Sequence, residues 1–249
     1  MSGHSKWSSI KHKKAALDKK RGNAWSKLSR AIIMAAKSGG NPADNPSLRL
    51  AVDKAKADNM PKDTIEKAIK KGTGELESAS YEDVLYEGYG NSGVAVMCKA
   101  VTDNRNRTSA EIKKIFERAG GNLGAANCVA FQFKQKGVIV VAKEKADEDR
   151  IMEVAIEAGA EDVESSEHIH EIICAADALE EVRQAITDAG IETQSAELSM
   201  VADNIISLDL NAARKVMRLI DALDDHDDVE AVYSNSTLPD DVVAQLAKE

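Results

Sequence analysis

The segment at residues 138–201, VIVVAKEKADEDRIMEVAIEAGAEDVESSEHIHEIICAADALEEVRQAITDAGIETQSAELSMV, decides the fold of this chain. Four of its runs have the short apolar pattern of strands, and they lie at residues 138–141, 162–165, 169–174 and 195–201. Two longer runs repeat apolar residues with the period of a helix, and they lie at residues 147–158 and 178–189. The order βαββαβ predicts a ferredoxin-like unit.

A second set of strands and helices flanks this unit on both sides. Before it come strand patterns at residues 81–89, 93–102 and 128–133, with a helix between the last two. After it come strand patterns at residues 205–208 and 229–233, with a helix at residues 211–223. We therefore expect a discontinuous α+β domain, residues 81–134 plus 203–249, into which a ferredoxin-like α+β domain, residues 135–202, is inserted.

Residues 23–74 predict a small domain of three helices. The first ends at Gly39-Gly40, the second opens with a capping residue and a proline at Asn45-Pro46, and the third runs from Pro61 to Gly72. Each helix is too short to be stable in isolation, so the three are expected to pack together. The predicted fold class is multidomain α+β, an N-terminal three-helix domain followed by two ferredoxin-like α/β domains, the last inserted in the middle one.

Charge is distributed very unevenly along the chain. The net charge is −9, yet the first thirty residues contain nine Lys or Arg and only one acidic residue, Asp18. Residues 1–74 have a balance of +11, residues 75–134 of −1 and residues 135–249 of −19. A basic end on an acidic body indicates that one end of the molecule binds a polyanion.

The predicted basic arm, residues 1–22, holds most of the candidate nucleic-acid contacts. These are Lys6, Trp7, Lys11, Lys13, Lys14, Lys19, Lys20 and Arg21. Lysine and arginine bind phosphate oxygens, and a tryptophan can stack on an unpaired base. The alternative is an ordinary solvated charged face, with Trp7 tucked against the helical domain. Trp25 belongs to the apolar stripe of the first helix, so we interpret it as core.

A second candidate contact lies at residues 103–108, where a strand leads into a helix. Helix N-termini attract anions, and this one offers Arg105 and Arg107. The alternative is a plain helix cap with solvated arginines. Thr108 and Glu111 have the spacing of a capping box, which places the helix start at Thr108.

Other chemistry is not indicated by the sequence. Cys98, Cys128 and Cys174 lie far apart in apolar runs and are interpreted as buried, reduced thiols. His168 and His170 share one face of a predicted strand and are interpreted as an exposed polar edge. Because no complete ligand set, phosphate-binding loop or nucleophile motif is found, we expect no metal, no cofactor, no small-molecule substrate and no enzymatic activity.

Targeting signals are also missing from the sequence. No run of about 18 apolar residues exists, and the N-terminus lacks the apolar segment of a signal peptide. We therefore expect a cytoplasmic protein without a membrane partner.

Several motifs in order resemble those of the YebC family of bacterial proteins, which includes the mitochondrial translational activators of cytochrome oxidase. The matching motifs are Gly3-His4-Ser5-Lys6-Trp7, Gly39-Gly40-Asn41-Pro42, Asn59-Met60-Pro61-Lys62-Asp63, Tyr86-Glu87-Gly88-Tyr89-Gly90 and residues 102–108. The resemblance covers most of the chain. It implies three domains, one helical and two α/β.

The function implied by this resemblance is divided. Some members are described as probable transcriptional regulators that bind DNA, and others resemble translation factors that help peptide-bond formation at consecutive prolines. The residues predict a nucleic-acid partner in either case. Because no helix-turn-helix with a base-reading face is evident and the cations concentrate in an arm, rRNA or the ribosome is favoured, with DNA as the alternative.

Overall fold

The structure of the chain is a computed structural model that describes residues 17–77 and 80–246. The helices are α1 Leu17–Ala36, α2 Pro46–Ala57, α3 Lys62–Gly72, α4 Arg105–Arg118, α5 Glu148–Glu157, α6 Leu179–Asp188, α7 Leu210–Asp224 and α8 Asp240–Leu246. The strands are β1 Glu82–Tyr89, β2 Ala95–Thr102, β3 Asn122–Leu123, β4 Phe133–Ala142, β5 Ala160–Ser165, β6 Ile169–Ala175, β7 Thr193–Ala202, β8 Ile206–Ser207, β9 Val229–Ser234 and β10 Ser236–Thr237.

Helices α1 to α3 pack around one aliphatic core. Asn45 organises the turn between α1 and α2, because its side-chain oxygen accepts from the Leu48 amide at 3.1 Å and its amide donates to the Ala35 and Gly39 carbonyls at 2.8 Å each. This is the capping arrangement that the Asn45-Pro46 pair predicts. Helix α1 begins at Leu17, earlier than its apolar periodicity suggests, so Lys19, Lys20 and Arg21 fall within its first turns.

The first sheet has the strand order β3-β1-β2-β9, and its paired strands are antiparallel. Helices α4 and α7 cover it through a core that includes Ile112, Phe116, Val216 and Leu219. Strand β9 follows the second sheet in the chain but pairs with β2. The chain therefore returns to the first sheet after building the second.

The second sheet has the order β5-β6-β4-β7, also antiparallel, with α5 and α6 as its helices. Ile139 and Ile172 on the sheet pack with Ile151 of α5 and Ile186 of α6, and all four are fully buried. Strand order and connections are those of a ferredoxin-like fold. The predicted α+β fold class is confirmed. The domain boundaries stay a prediction, which the return of β9 to the first sheet supports.

The predicted strand at residues 128–133 is wrong. Residues Ala130–Gln132 form a 3₁₀ turn, and the strand that follows begins at Phe133. The reason is the Glu87 carboxylate, which accepts from the amides of Asn127, Val129 and Ala130 and so removes them from any strand ladder. The predicted strand at residues 205–208 shrinks to β8, which pairs in parallel with β10.

Two interpretations of single side chains, those of His170 and Cys128, are also corrected. His170 is fully buried instead of exposed, with Nδ1 2.7 Å from the Ser165 hydroxyl and Nε2 3.0 Å from the Ala146 carbonyl oxygen. The ring thus has hydrogen-bond partners on both nitrogens and serves packing. All three cysteines are free, as expected, although Cys128 is half-buried.

Candidate nucleic-acid interface

A cleft of about 780 Å³ lies where α1, α4 and the loop after α7 meet. Four cations line it: Arg30 comes from α1, and Arg107, Lys114 and Arg118 come from α4. The three α4 residues are spaced seven and four apart, which puts them on one helix face. Five carboxylates line the same cleft, Asp103, Glu111, Asp225, Asp227 and Asp228. The positive charge of the cleft is therefore balanced by the protein's own carboxylates.

Asp228 is the carboxylate that faces both Arg107 and Arg30 in the cleft. Its Oδ2 accepts from Arg107 Nη2 at 2.7 Å and from the Thr108 hydroxyl at 2.6 Å. Its Oδ1 lies 3.6 Å from Arg30 Nη1. Burial works against ionisation of Asp228, but the hydrogen bonds from Thr108 and Arg107 and the two positive charges together lower its pKa. Asp228 is therefore a buried, ionised anchor for both arginines.

The helix start that was predicted as an anion site is organised differently. Helix α4 begins at Arg105, and the Asn104 side chain caps it by accepting from the Arg107 amide at 3.1 Å. The capping box at Thr108 is thus wrong, because Thr108 is buried inside the helix with its hydroxyl 2.7 Å from that of Thr102. Arg107 is exposed but paired, since it lies 3.1 Å from Asp103 as well as 2.7 Å from Asp228. Arg105 is exposed. A nucleic-acid role for Arg105 and Arg107 stays a prediction.

Helix α1 is joined directly to the end of α7. Lys27 Nζ donates to the Asp224 carbonyl, and the Arg30 guanidinium donates to the Asp227 carbonyl. Carbonyl groups at a helix C-terminus attract cations. Burial lowers the pKa of Lys27, while Asp224 and Asp225 act in the opposite direction. The helical region is thus held against the first sheet by cations of α1.

His226 fixes the loop that carries these carboxylates. Its Nδ1 accepts from the Asp228 amide at 3.1 Å, so Nε2 bears the proton and donates to Glu111 at 2.9 Å. Sequence reasoning missed Arg30, His226 and Asp228, because their partners are far away in the chain. The one available signal was the run of aspartates at residues 224–228 directly after an apolar helix.

The sequence-predicted arm contacts fall into two groups. Lys6, Trp7, Lys11, Lys13 and Lys14 lie outside the described residues. Lys19, Lys20 and Arg21 lie on the helical backbone of α1.

Trp25 follows on α1 and packs partly buried against the helical core. Its Nε1 donates to the Asp58 carbonyl at 3.1 Å. The interpretation of Trp25 as a core residue is therefore confirmed.

Exposed cations without an ion pair in the described residues include two on α3 and two on α4. Lys67 and Lys70 lie on α3, and Lys114 and Arg118 lie on α4 at the cleft. None of the four has an ion pair within the described part of the chain, whereas Lys62 on α3 lies 3.7 Å from Glu66. These four side chains can donate hydrogen bonds to phosphate oxygens without first breaking such an ion pair.

The described residues form neither a metal-binding cluster nor a helix that could span a membrane. Across residues 17–77 and 80–246, no three His, Cys, Asp or Glu side chains are grouped so as to hold a metal ion. None of the helices within these ranges combines the length and the apolar character that crossing a membrane requires.

The fold and the charge pattern define a class of multidomain α+β protein with a basic helical end and an acidic ferredoxin-like end. The chain belongs to the TACO1/YebC family. The family model described as the TACO1/YebC protein N-terminal domain matches residues 5–75. The model described as the TACO1/YebC second and third domain matches residues 81–236.

Relatives and a solved structure agree with this membership. A "probable transcriptional regulatory protein" of Elusimicrobium minutum is 49% identical over 250 residues, covering 100% of both chains. One of the same description from Dictyoglomus turgidum is 50% identical over 249 residues, covering 99% of this chain and 100% of the relative. The crystal structure of the conserved hypothetical protein Aq1575 from Aquifex aeolicus is similar, with a TM-score of 0.82 and 45% identity over 92% of this chain and 96% of that one. Both of these relatives are thus named for regulation.

Proposed function

We propose that this chain is a non-enzymatic, nucleic-acid-binding regulator of gene expression that acts on RNA in the cytoplasm, with rRNA or the ribosome as partner. The observation that carries the proposal is the separation of charge, +11 over residues 1–74 against −19 over residues 135–249. A polyanion is attracted to the basic end and repelled by the other. The contacts would be Lys19, Lys20 and Arg21 with the preceding arm, extended by Lys67 and Lys70.

The distribution of charge on α3 favours RNA over duplex DNA as the partner. A recognition helix contacts base edges with its N-terminal residues. The first turns of α3 carry Asp63 and the exposed Glu66, which repel phosphates on both sides of a groove. Lys62 at the start of α3 is paired with Glu66, and the cations without an ion pair in the described residues, Lys67 and Lys70, lie further along the helix, where they suit backbone contact.

The regulated step that we propose is elongation at difficult, proline-rich sequences. This finer proposal rests on the resemblance to the translation factors of the family. Its test is translation in a purified system of two reporters that differ only in a run of consecutive prolines. Adding the protein should raise the yield of the proline reporter alone, and an equal effect on both reporters would contradict it.

The proposal of RNA binding is tested by neutralising cations without removing the helix. A variant with Lys19→Gln, Lys20→Gln and Arg21→Gln should lose co-sedimentation with ribosomes while keeping its thermal unfolding temperature. The matched control is Lys136→Gln, Lys143→Gln and Lys145→Gln, which removes the same charge from the acidic end. Ribosome binding that is unchanged in the first variant, or lost equally in both, would contradict the proposal.

DNA binding is the second candidate, and the regulatory names of the relatives favour it. It would give sequence-dependent retention of a promoter fragment at physiological salt, well above the binding of unrelated duplexes. Binding driven only by charge would instead be equal for all duplexes and would fall steeply with salt.

A further inference from the structure

Phe131 is the most exposed large apolar side chain in the described part of the chain, with 74% of its surface accessible. The two other phenylalanines, Phe116 and Phe133, are buried at 0% and 6%. Phe131 lies on the 3₁₀ turn Ala130–Gln132, within the segment 124–132 that joins β3 to β4 and is called the Phe131 loop below. A single exposed apolar residue is ordinary by itself. What is unusual here is how much structure holds this loop in place.

A buried carboxylate fixes the backbone on which Phe131 sits. Glu87 is 3% exposed, and its Oε1 accepts from the Asn127 amide at 2.7 Å. Its Oε2 accepts from the Val129 amide at 2.9 Å and the Ala130 amide at 2.7 Å. Burying a carboxylate is costly unless its oxygens are hydrogen-bonded. The Glu87 carboxylate on β1 thus holds the loop in one backbone conformation.

Glycines bring the same loop and strand into close contact. A Cβ on Gly88 would lie 2.4 Å from the Asn122 carbonyl oxygen, and one on Gly124 would lie 2.4 Å from Cys128 Sγ. The Tyr89 hydroxyl donates to the Cys128 carbonyl at 3.0 Å. The Tyr-Glu-Gly-Tyr-Gly motif is therefore a seat for the Phe131 loop.

The end of the loop is tied to other parts of the molecule. The Gln132 carbonyl accepts from the Asp203 amide at 2.9 Å, directly after β7 of the second sheet. The Gln132 side-chain oxygen accepts from Asn235 at 3.4 Å, directly after β9 of the first sheet. Phe131 is consequently presented at the junction of the two sheets, on a rigid support of the kind that binding residues need.

No acidic residue lies close to Phe131 in the sequence. Residues 118–143 contain no Asp or Glu although the chain has 42 of them. Their lysines are already paired with carboxylates of other segments, Lys134 with Asp203, Lys136 with Glu161 and Lys143 with Glu148, so the contact offered here is the ring itself. An exposed aromatic ring on a fixed backbone is the feature with which proteins stack unpaired bases.

We propose that Phe131 is a stacking contact for an unpaired base of the bound RNA. This inference rests on the proposed function and adds a second contact, distant in sequence from the basic arm. The arm would bind phosphates and so hold the RNA, while Phe131 would select a nucleotide whose base is free to leave its stack. Because stacking tolerates any base, the contact would select unpaired structure and not sequence.

The test uses the full chain and a single-stranded RNA oligonucleotide that contains 2-aminopurine, whose fluorescence changes when it stacks. Phe131→Ala should lose the fluorescence change and bind roughly 5- to 150-fold more weakly, the range for loss of one base–aromatic stack. Phe131→Tyr should keep both, because it keeps the ring. Leu198→Ala is the matched control, since Leu198 is also exposed, at 48%, but lies on β7 of the second sheet. It should behave as the wild type.

Several results would overturn the inference. Equal affinity and signal for Phe131→Ala and the wild type would remove the stacking contact while leaving the proposed function intact. If Phe131→Ala and Phe131→Tyr both lose binding, Phe131 has a structural role instead of a stacking one. If Phe131→Ala impairs only ribosome binding and leaves the oligonucleotide bound normally, the ring contacts a protein. If the wild type does not bind the oligonucleotide, the inference also fails, and ribosome co-sedimentation then decides whether the proposed function stands.

Discussion

The guanidinium of Arg107 lies 2.7 Å from the Asp228 carboxylate, and the two residues are 121 positions apart in the chain. Arg107 belongs to α4, and Asp228 directly precedes β9. The same carboxylate faces Arg30 of α1. One buried aspartate thus connects three segments, and a cation expected to contact nucleic acid is also part of the scaffold.

Asp228→Asn should destabilise the protein more than the corresponding change at Asp103, although both residues bind Arg107. Asp228 is buried and also accepts from Thr108, so its loss leaves buried donors poorly matched and should cost about 1–3 kcal/mol. Asp103 is 37% exposed, and Asp103→Asn should cost about 1 kcal/mol or less. Urea unfolding of both variants provides the measurement. Equal losses would show that burial of Asp228 is unimportant.

Acid should destabilise the fold partly through Glu87. Burial works against its ionisation, but the backbone hydrogen bonds of Val129, Asn127 and Ala130 lower its pKa below the ordinary 4.5. A lowered native pKa contributes stability that is complete above about pH 4.5 and is lost as pH falls through the native pKa. Glu87→Gln should therefore be less stable at pH 7 and should lose less stability on acidification than the wild type.

The measurement is urea unfolding at a series of pH values between 7 and 3. Glu167→Gln, at an exposed position, controls for the loss of one negative charge. A Glu87→Gln variant with the full acid sensitivity of the wild type would exclude Glu87 as a source of that sensitivity.

Gly88→Ala should destabilise the seat of the Phe131 loop. The new Cβ would lie 2.4 Å from the Asn122 carbonyl oxygen and 2.8 Å from Phe116 Cε1, so backbone must move. Overpacking of this kind costs about 1–3 kcal/mol. Gly90→Ala is the comparison within the same motif, because its nearest neighbour is the end of the Leu219 side chain at 3.1 Å. Thermal unfolding should show a clearly larger loss for Gly88→Ala, and the reverse order would contradict the contact.

The three thiols should react at different rates in the native protein. Burial, followed by the charge of Asp224, raises the pKa of Cys98 to about 12. Burial also raises the pKa values of Cys174 and Cys128, but Cys128 is only half-buried in the Phe131 loop and so remains the most accessible of the three. Maleimide labelling followed by peptide mapping should therefore modify Cys128 first and the other two only on unfolding. Early labelling of Cys98 would contradict the buried position of β2.

Local signals made most of the fold predictable. The Asn45-Pro46 pair fixes the start of α2 because a cap and a first-turn proline act within a few residues. Apolar periodicity placed α5 to α7 for the same reason, and the order of elements along residues 138–201 was enough to identify the second sheet.

The errors arise where a distant partner decides the local structure. Thr108 matches a capping box, but it faces Asp228, 120 residues away, and Asn104 provides the cap. Residues 128–133 have strand propensity, but Glu87 binds their amides from another strand. The prediction of the interface suffers most. In the sequence Arg30 and Arg107 resemble ordinary surface cations, and only the structure shows that both pair with Asp228.

The central claim, that this chain regulates gene expression by binding RNA at its basic end, is tested most directly by crosslinking it in cells and sequencing all attached nucleic acid, both RNA and DNA. We expect ribosomal RNA to dominate the recovered sequences. We also expect the Lys19→Gln, Lys20→Gln and Arg21→Gln variant to lose this signal while the Lys136→Gln, Lys143→Gln and Lys145→Gln control keeps it. Recovery mainly of promoter DNA, or an equal signal from both variants, would contradict it.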